Sequence, residues 1–255
     1  MSRHAVHQLR TAIRRLLACL ELLGAAQNDR PAVQGLLLRQ LKALGALRDV
    51  QVQLQCIKEE PRLASALQPL HQHLQRRKLR REKAAGKALR CDKAVHRLQR
   101  WRLLPVRKDS HLIPRLRQLM DDKLEQAFDP LGAFSHSTPV DSATRHRLRV
   151  VSREYRYMVE ALRPGWCGGE ASRLVSNLQA YHEIIGQLHD RELLLHRIDR
   201  LIANEKLAAV PVRPFRARLQ TEKTKLLKAC AQLDRWMFHE AMLARRHLHQ
   251  NLPCN

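Results

Sequence analysis

A chain that writes one helical pattern twice is committed to an internally repeated fold before any residue is placed in space. The pattern here is His7-x-x-Arg10-x-x-x-Arg14, which returns as His146-x-x-Arg149-x-x-x-Arg153, and each copy is followed by a glutamate at the same distance, Glu21 and Glu160. Four positions shared at one offset separate a duplication from the chance recurrence of Arg in a basic chain. At about 100° per residue, His7, Arg10 and Arg14 fall within roughly 60° of one another on a helix, with Leu9, Ile13, Leu16, Leu20 and Leu23 opposite. The second copy divides the same way, His146, Arg149, Arg153 and Arg156 against Leu148, Val151, Tyr155, Val159 and Leu162. Each copy predicts an amphipathic helix with a cationic stripe.

A second shared element supports the repeat. Leu44-Gly45-x-x-Arg48-Asp49 returns as Ile185-Gly186-x-x-His189-Asp190, two residues off the first register, as a small insertion would leave it. Glycine inside a helix costs about 1 kcal/mol relative to alanine, so two at matching points suggest a close helix approach. Asp49 and Asp190 are either solvated or core-capping carboxylates, or they hold an Arg or His of the basic face.

Helical periodicity runs throughout, without alternating strand patterns or Asn-Gly hairpin signals. It predicts an all-α chain with helices over Ser2–Leu23, Pro31–Glu60, a long basic stretch from Pro61 that breaks near Cys91 and reaches Trp101–Pro105, and Pro114–Phe128. Asp129–Asp141 has a linker composition. The series then restarts with Ser142–Leu162, a Pro164–Gly169 turn, Ala171–Glu205, a break marked by Pro211 and Pro214, and Phe215–Asn251. Two domains follow, 1–132 and 139–255, each a helical bundle.

Charge narrows the partner. Forty-seven Lys and Arg stand against 24 Asp and Glu, a formal net charge of +23. Such an excess implies a polyanion: nucleic acid, an anionic membrane or an inorganic chain. Thirty-five of the cations are Arg, which forks bidentately onto phosphate oxygens. The sequence has only ten Phe, Trp and Tyr, whereas single-strand nucleic-acid binders stack bases on aromatic side chains. Binding to the phosphate backbone of nucleic acid needs cations alone and remains the alternative. No apolar run approaches the roughly 18 residues of a membrane span, and no signal peptide precedes the first helix, so no membrane is expected. The six cysteines form no CxxC pairs and read as reduced thiols of a cytoplasmic protein.

The densest cationic run is Arg76-Arg77-Lys78-Leu79-Arg80-Arg81-Glu82-Lys83. A charge run is usually a solvated face. This one continues the stripe Leu63, Leu67, Leu70, Leu74 into Arg77 and Arg81, which turns that end of the bundle toward a polar surface. Arg213, Arg216 and Lys223 are the expected counterparts in the second half. No P-loop glycine cluster or clustered acidic motif suggests phosphoryl transfer, and the Glu-x-x-His pairs of a di-iron bundle are missing. No catalytic residue, metal ligand or cofactor is expected. His7 and His146 either contact a ligand or anchor a helix crossing.

The segments AVHQLRTAIRRLLACLELLG, LKALGALRDVQVQL, TRHRLRVVSREYRYMVEAL and IIGQLHDRELLL together resemble the CHAD family, an α-helical domain with characteristic histidines. The resemblance covers nearly the whole chain. It implies two pseudo-symmetric helical bundles facing a central basic groove, binding of inorganic polyphosphate without catalysis, and a cytoplasmic place in association with polyphosphate granules. Some members of the family carry a CYTH-type triphosphatase domain; with no ExExK strand motif, this chain resembles the stand-alone members. Carried onto this sequence, the resemblance puts His7, Arg10, Arg14, His146, Arg149, Arg153 and Arg156 on the groove, joined by Arg77 and Arg81. The second half departs from the first at His189, where the first has Arg48.

Overall fold

The computed structural model describes residues 1–24, 31–90, 112–132, 141–163 and 169–251. They form seven α-helices: α1 (Arg3–Gly24), α2 (Pro31–Lys58), α3 (Ala64–Leu89), α4 (Leu112–Gly132), α5 (Ser142–Leu162), α6 (Glu170–Ala203) and α7 (Ala209–Asn251), with one 3₁₀ turn over Pro61–Leu63. The described residues contain no strand, and the fold is all-α. The expected helix beyond Cys91 and the Pro164–Gly169 turn lie largely outside the described residues.

Element boundaries follow from local chemistry, and they depart from the sequence pattern where proline was read as a stop. Pro211 and Pro214 do not break a helix; they lie in the first two turns of α7. The first four N–H groups of any helix have no intrahelical acceptor, so a proline there removes little. Pro214 leaves only the carbonyl of Val210 without its donor, and Val210 is 82% exposed to water. Pro114 likewise sits in the first turn of α4, and that helix runs on through Asp129–Gly132, the start of the expected linker. Asp141 opens α5: its carboxylate accepts from the backbone N–H of Ala143 (2.8 Å) and Thr144 (3.0 Å), a strong N-cap. Hydrogen bonds from the Thr144 hydroxyl and N–H hold the Asp141 carboxyl below its usual range. α6 ends two residues before the expected Glu205. The N–H of Lys206 bonds the carbonyl of Leu201 and that of Glu205 the carbonyl of Ile202, both at 2.9 Å, closing a Schellman motif.

The chain divides into two compact units that cut across the two sequence halves. One unit joins residues 1–12 and 35–97 to 186–227; the other joins 13–34, 98–185 and 228–255. α1, α2, α6 and α7 each contribute to both. The core of the first unit shows why. Val50, Leu54, Cys56 and Ile57 of α2 and Leu67, Leu70 and Leu74 of α3 share one buried cluster with Leu194, Leu195, Ile198 and Leu201 of α6 and Val212, Phe215 and Leu219 of α7. The apolar faces of one sequence half are thus covered by helices of the other.

In the second unit α4 packs on α5. Buried residues there include Ile13, Leu20 and Leu22 of α1, Met120 and Leu124 of α4, and Leu174, Leu178 and Tyr181 of α6. On α5 the buried arc is wider than the expected stripe: Ser152, Tyr157 and Met158 are buried along with Leu148, Tyr155 and Val159. On α1 the stripe is narrower, since Leu9 is 37% exposed while Val6 and Ala18 are buried.

Glu205 occupies the left-handed position of the α6 terminus, with φ 56°, where a side chain other than glycine is strained. Replacing Glu205 by Gly is expected to stabilise the protein by about 1 kcal/mol. Denaturant unfolding checks this, and an unchanged or lower midpoint would be the contrary result.

Candidate functional site

Each copy of the histidine–arginine motif starts a helix whose cations must lie between an apolar face and solvent. What the fold does with them differs along α1. Arg10, in the first unit, lies across α2: its Nη1 donates to the carbonyl of Leu41 at 3.4 Å. Gly45 makes this possible, because a Cβ at that position would stand 2.6 Å from Arg10 Nη1. In the first copy the two sequence elements are therefore one device, a glycine that clears a seat and an arginine that fills it. The close approach expected at Gly45 is made by a guanidinium.

Arg14, one turn on, belongs to the second unit. There Arg149, Arg153 and Arg156 of α5 and Arg14 of α1 all lie close enough to His182 of α6 to act on its charge. The two motif helices meet in this unit, and Arg15 of α1 donates to Glu160 of α5 at 3.2 Å. Glu160 also pairs with Arg156 (3.7 Å), whose guanidinium lies 4.6 Å above the Tyr157 ring. Glu21, the matching glutamate of the first copy, pairs with Lys123 of α4 at 2.8 Å, and Lys123 reaches Glu154 of α5 at 3.1 Å. Burial opposes the charge of Lys123, but the hydrogen bond to Glu21 and the two carboxylates outweigh it and raise its pKa. The paired glutamates are thus clamps that fix α1, α4 and α5 while the arginine stripe stays on its own face. His7 and His146 are exposed at the start of each stripe.

His182 was not singled out by its sequence context. It sits behind the α5 stripe, with Nε2 2.9 Å from the Ser152 hydroxyl. That hydroxyl donates to the Leu148 carbonyl at 2.5 Å, so its lone pair accepts from the ring and the hydrogen lies on Nε2. Burial, then Arg156, Arg153, Arg149 and Arg14, push the His182 pKa well below the ordinary value. The imidazole is neutral at physiological pH.

A second cluster gathers in the first unit. Leu67, Leu70 and Leu74 of α3 are buried, and the same face continues into Arg77 and Arg81, which are half-buried, as the stripe predicted. Arg197 and Arg200 of α6 face them. Burial, followed by Arg77 and Arg200, drives the Arg197 guanidinium down to about 10, and Asp49 of α2 is the carboxylate that acts in the other direction. Arg77 is lowered by burial and by Arg81, Arg80 and Arg200, again with Asp49 opposing. The Nε atoms of Arg77 and Arg197 are shut off from solvent without a hydrogen-bond partner among the described residues. His73, one turn earlier, is lowered by burial and by Arg197, Arg77, Arg80 and Lys206.

The motif aspartates serve this cluster. Asp190 accepts from Arg48 Nη1 at 3.3 Å, tying the two glycine–aspartate elements together, while Asp49 supplies charge to Arg77 and Arg197. Of the two sequence readings, holding the basic face is the one realised. The expected second-half counterparts behave differently. Arg216 donates to Asp199 at 2.7 Å and Lys223 pairs with Glu192 at 3.6 Å, within a row of α6–α7 ion pairs that includes Arg191–Glu222 at 2.6 Å. Arg197 and Arg200 take the place assigned to them. Their signal was present in the sequence, since Leu194, Ile198 and Leu201 flank Arg197 as Leu70 and Leu74 precede Arg77.

Among the described residues, no three His, Cys, Asp or Glu side chains gather as metal ligands would, and no helix is long and apolar enough to cross a membrane. Cys19, Cys56 and Cys230 are thiols, not disulfides.

An all-α protein with arginines gathered on helix faces, one seated over Gly45 and others opposed by the motif aspartates, defines the class. The CHAD domain model matches residues 2–199, and the chain belongs to the CHAD family. The crystal structure of the CHAD domain from the plant Ricinus communis has the same fold, with a TM-score of 0.64 over 97% of this chain and 82% of that one at 23% identity. No curated protein sequence matches the chain.

The seat under Arg10 generates a specific expectation. Gly45→Ala gains helix propensity of up to about 1 kcal/mol, and the atom it meets is the far end of a flexible side chain. The variant should therefore unfold within about 1 kcal/mol of the parent while the Arg10 guanidinium leaves Leu41. Unfolding curves together with NMR of the arginine side chains read both; severe destabilisation would mean that backbone, not Arg10, fills the seat.

Proposed function

We propose that this chain binds inorganic polyphosphate through its arginine clusters and catalyses no reaction of its own. The observation that carries the reading is the crowding of like charges: Arg77, Arg81, Arg197 and Arg200 in one unit, Arg14, Arg149, Arg153 and Arg156 in the other. Two unit charges about 6 Å apart repel by about 3 kcal/mol at an effective dielectric of 20. A fold that holds several such pairs against burial recovers that energy when an anion with many oxygens arrives. Arg favours phosphate oxygens, which it meets with two parallel N–H donors. His7 and His146, exposed at the head of the two stripes, join the site in this reading.

The described aromatic side chains support a ligand without bases. Tyr155, Tyr157, Tyr181 and Phe215 are buried in the cores, where they cannot act as stacking platforms, and Trp236 is the one of them that is exposed. The non-catalytic part of the proposal rests on the sequence, which carries no phosphoryl-transfer motif. Association with polyphosphate granules in the cytoplasm is the cellular setting this reading implies.

Two measurements test it. In direct competition at physiological salt, long-chain polyphosphate should displace duplex DNA, and affinity should fall steeply as salt rises; equal or tighter binding of DNA would favour the nucleic-acid reading. Replacing Arg10, Arg14, Arg149 and Arg153 together by Ala should lower polyphosphate affinity by at least about 100-fold, since each charge-assisted contact contributes about 1.5–3 kcal/mol and additivity is partial. Replacing the exposed Arg3, Lys58, Arg62 and Lys225 changes net charge equally and should cost less than about tenfold. Equal losses from both sets would reduce the chain to a diffuse polycation.

A further inference from the structure

The second-unit cluster contains a group that the arginine stripe does not require. His182 is an imidazole whose charge four motif-helix arginines oppose, and its two nitrogens are in different states. Nε2–H is committed to Ser152, whose own hydrogen is committed to Leu148. Nδ1, the acceptor nitrogen of that tautomer, is shut off from solvent and has no hydrogen-bond partner among the described residues. A buried acceptor without a donor is destabilising and rare in folded proteins. A ring of guanidiniums should be the easiest place to find a donor, so the vacancy at Nδ1 calls for a role.

We propose that His182 is a proton-accepting member of the polyanion site: phosphate oxygens seated among Arg14, Arg149, Arg153 and Arg156 draw a solvent proton onto Nδ1, whose N–H then donates to the bound chain. The inference rests on the polyphosphate reading and deepens it. The electrostatics have a definite sign. In the free protein the four arginines oppose an imidazolium, together with burial. Bound phosphate brings negative charge to the same place, cancels the arginine field and makes the imidazolium the favoured form. The proton comes from water or buffer, no covalent bond to phosphorus is made or broken, and release of the ligand returns the proton.

The other groups around the ring leave this role open to His182. On α5, Arg156 is also held by Glu160, which Arg15 of α1 shares. Glu154 is drawn to Lys123 of α4. On α6, the Tyr181 ring lies 5.9 Å from that of His182, but its hydroxyl donates to Asp234 of α7 at 2.8 Å. Burial raises the Asp234 pKa, opposed by the Tyr181 hydrogen bond and by Arg145 of α5. Glu183, the next residue on α6, is exposed. Ser152 holds the ring in register with the stripe by bonding the nitrogen that does not titrate. His182 thereby senses ligand charge without giving up its structural contact.

The consequence is that polyphosphate binding takes up a proton. The interior phosphates of a long chain are strong acids that do not titrate near neutrality, so the linked proton belongs to the protein. The test uses the full chain, long-chain polyphosphate and His182→Gln, whose amide can still donate to Ser152. Calorimetry in two buffers of different ionisation enthalpy should show about one more proton taken up per site by the parent than by His182→Gln. The parent affinity should gain, as pH falls from about 8 to about 6, up to about tenfold per unit over the variant, the limit for one linked proton. NMR of labelled histidine provides a reading without substitution: His182 should pass from the neutral Nε2–H tautomer to the imidazolium on saturation with polyphosphate. Binding with equal proton uptake in both proteins, or a His182 that stays neutral in the saturated complex, overturns the proposal and leaves polyphosphate binding standing. Failure of the parent chain to bind polyphosphate overturns both.

Discussion

An apolar face is costly to leave uncovered, and in the first unit the two sequence halves cover their faces together. The cluster built from Leu54, Leu70, Leu74, Ile198, Phe215 and Leu219 draws on α2 and α3 from one half and α6 and α7 from the other. Burying a Leu, Ile or Phe side chain contributes about 1.5–3 kcal/mol, so a cluster of this size outweighs every ion pair on the surface taken together. The compact units follow the cluster and not the linker. Each unit therefore draws on helices from both sides of the linker-like stretch at 132–139.

Once the core sets the helix faces, the cations divide by what they meet. Those on the outer α6–α7 face, Arg191, Arg216 and Lys223, meet carboxylates and form exposed or half-exposed pairs worth little each. Arg218, beside Glu60 and Glu222, belongs with them. The cations at the ends of apolar stripes meet one another. Arg77 and Arg197 are depressed by burial before any neighbour acts, and their neighbours are mainly other arginines. Desolvation and like-charge repulsion in one place, with Asp49 opposing, are the electrostatic signature on which the proposed ligand site rests. His182 carries the same signature in the second unit.

The recurring motifs turn out to have distinct mechanical parts. Gly45 is a seat for Arg10; Glu21 and Glu160 are clamps to Lys123 and Arg15; Asp190 and Asp49 hold Arg48 and the Arg77–Arg197 cluster. His7 and His146 are exposed at the heads of the two stripes, whereas Arg10, which follows His7, is seated on α2. A motif read as a string of ligand contacts is therefore partly scaffolding, and separating the two required knowing which side chain each residue touches.

Helical periodicity was enough to read an all-α chain, the bounds of most described helices to within a few residues and the stripe that runs from Leu67 to Arg81, while the resemblance of four segments pointed to the family. These are local properties: a helix face depends on spacing along one segment, and spacing is written in the sequence. Where proline was taken for a break, at Pro211 and Pro214, the error was also local, a matter of position within the first turns. What the sequence could not supply was the pairing of segments far apart in the chain. That Arg197 acts on Arg77, that His182 lies within reach of Arg153, and that the counterparts expected at Arg216 and Lys223 are instead ion-paired all depend on which helix covers which. The shared core decides that, because burying apolar area is non-directional and settles only when every face in the chain has found its cover.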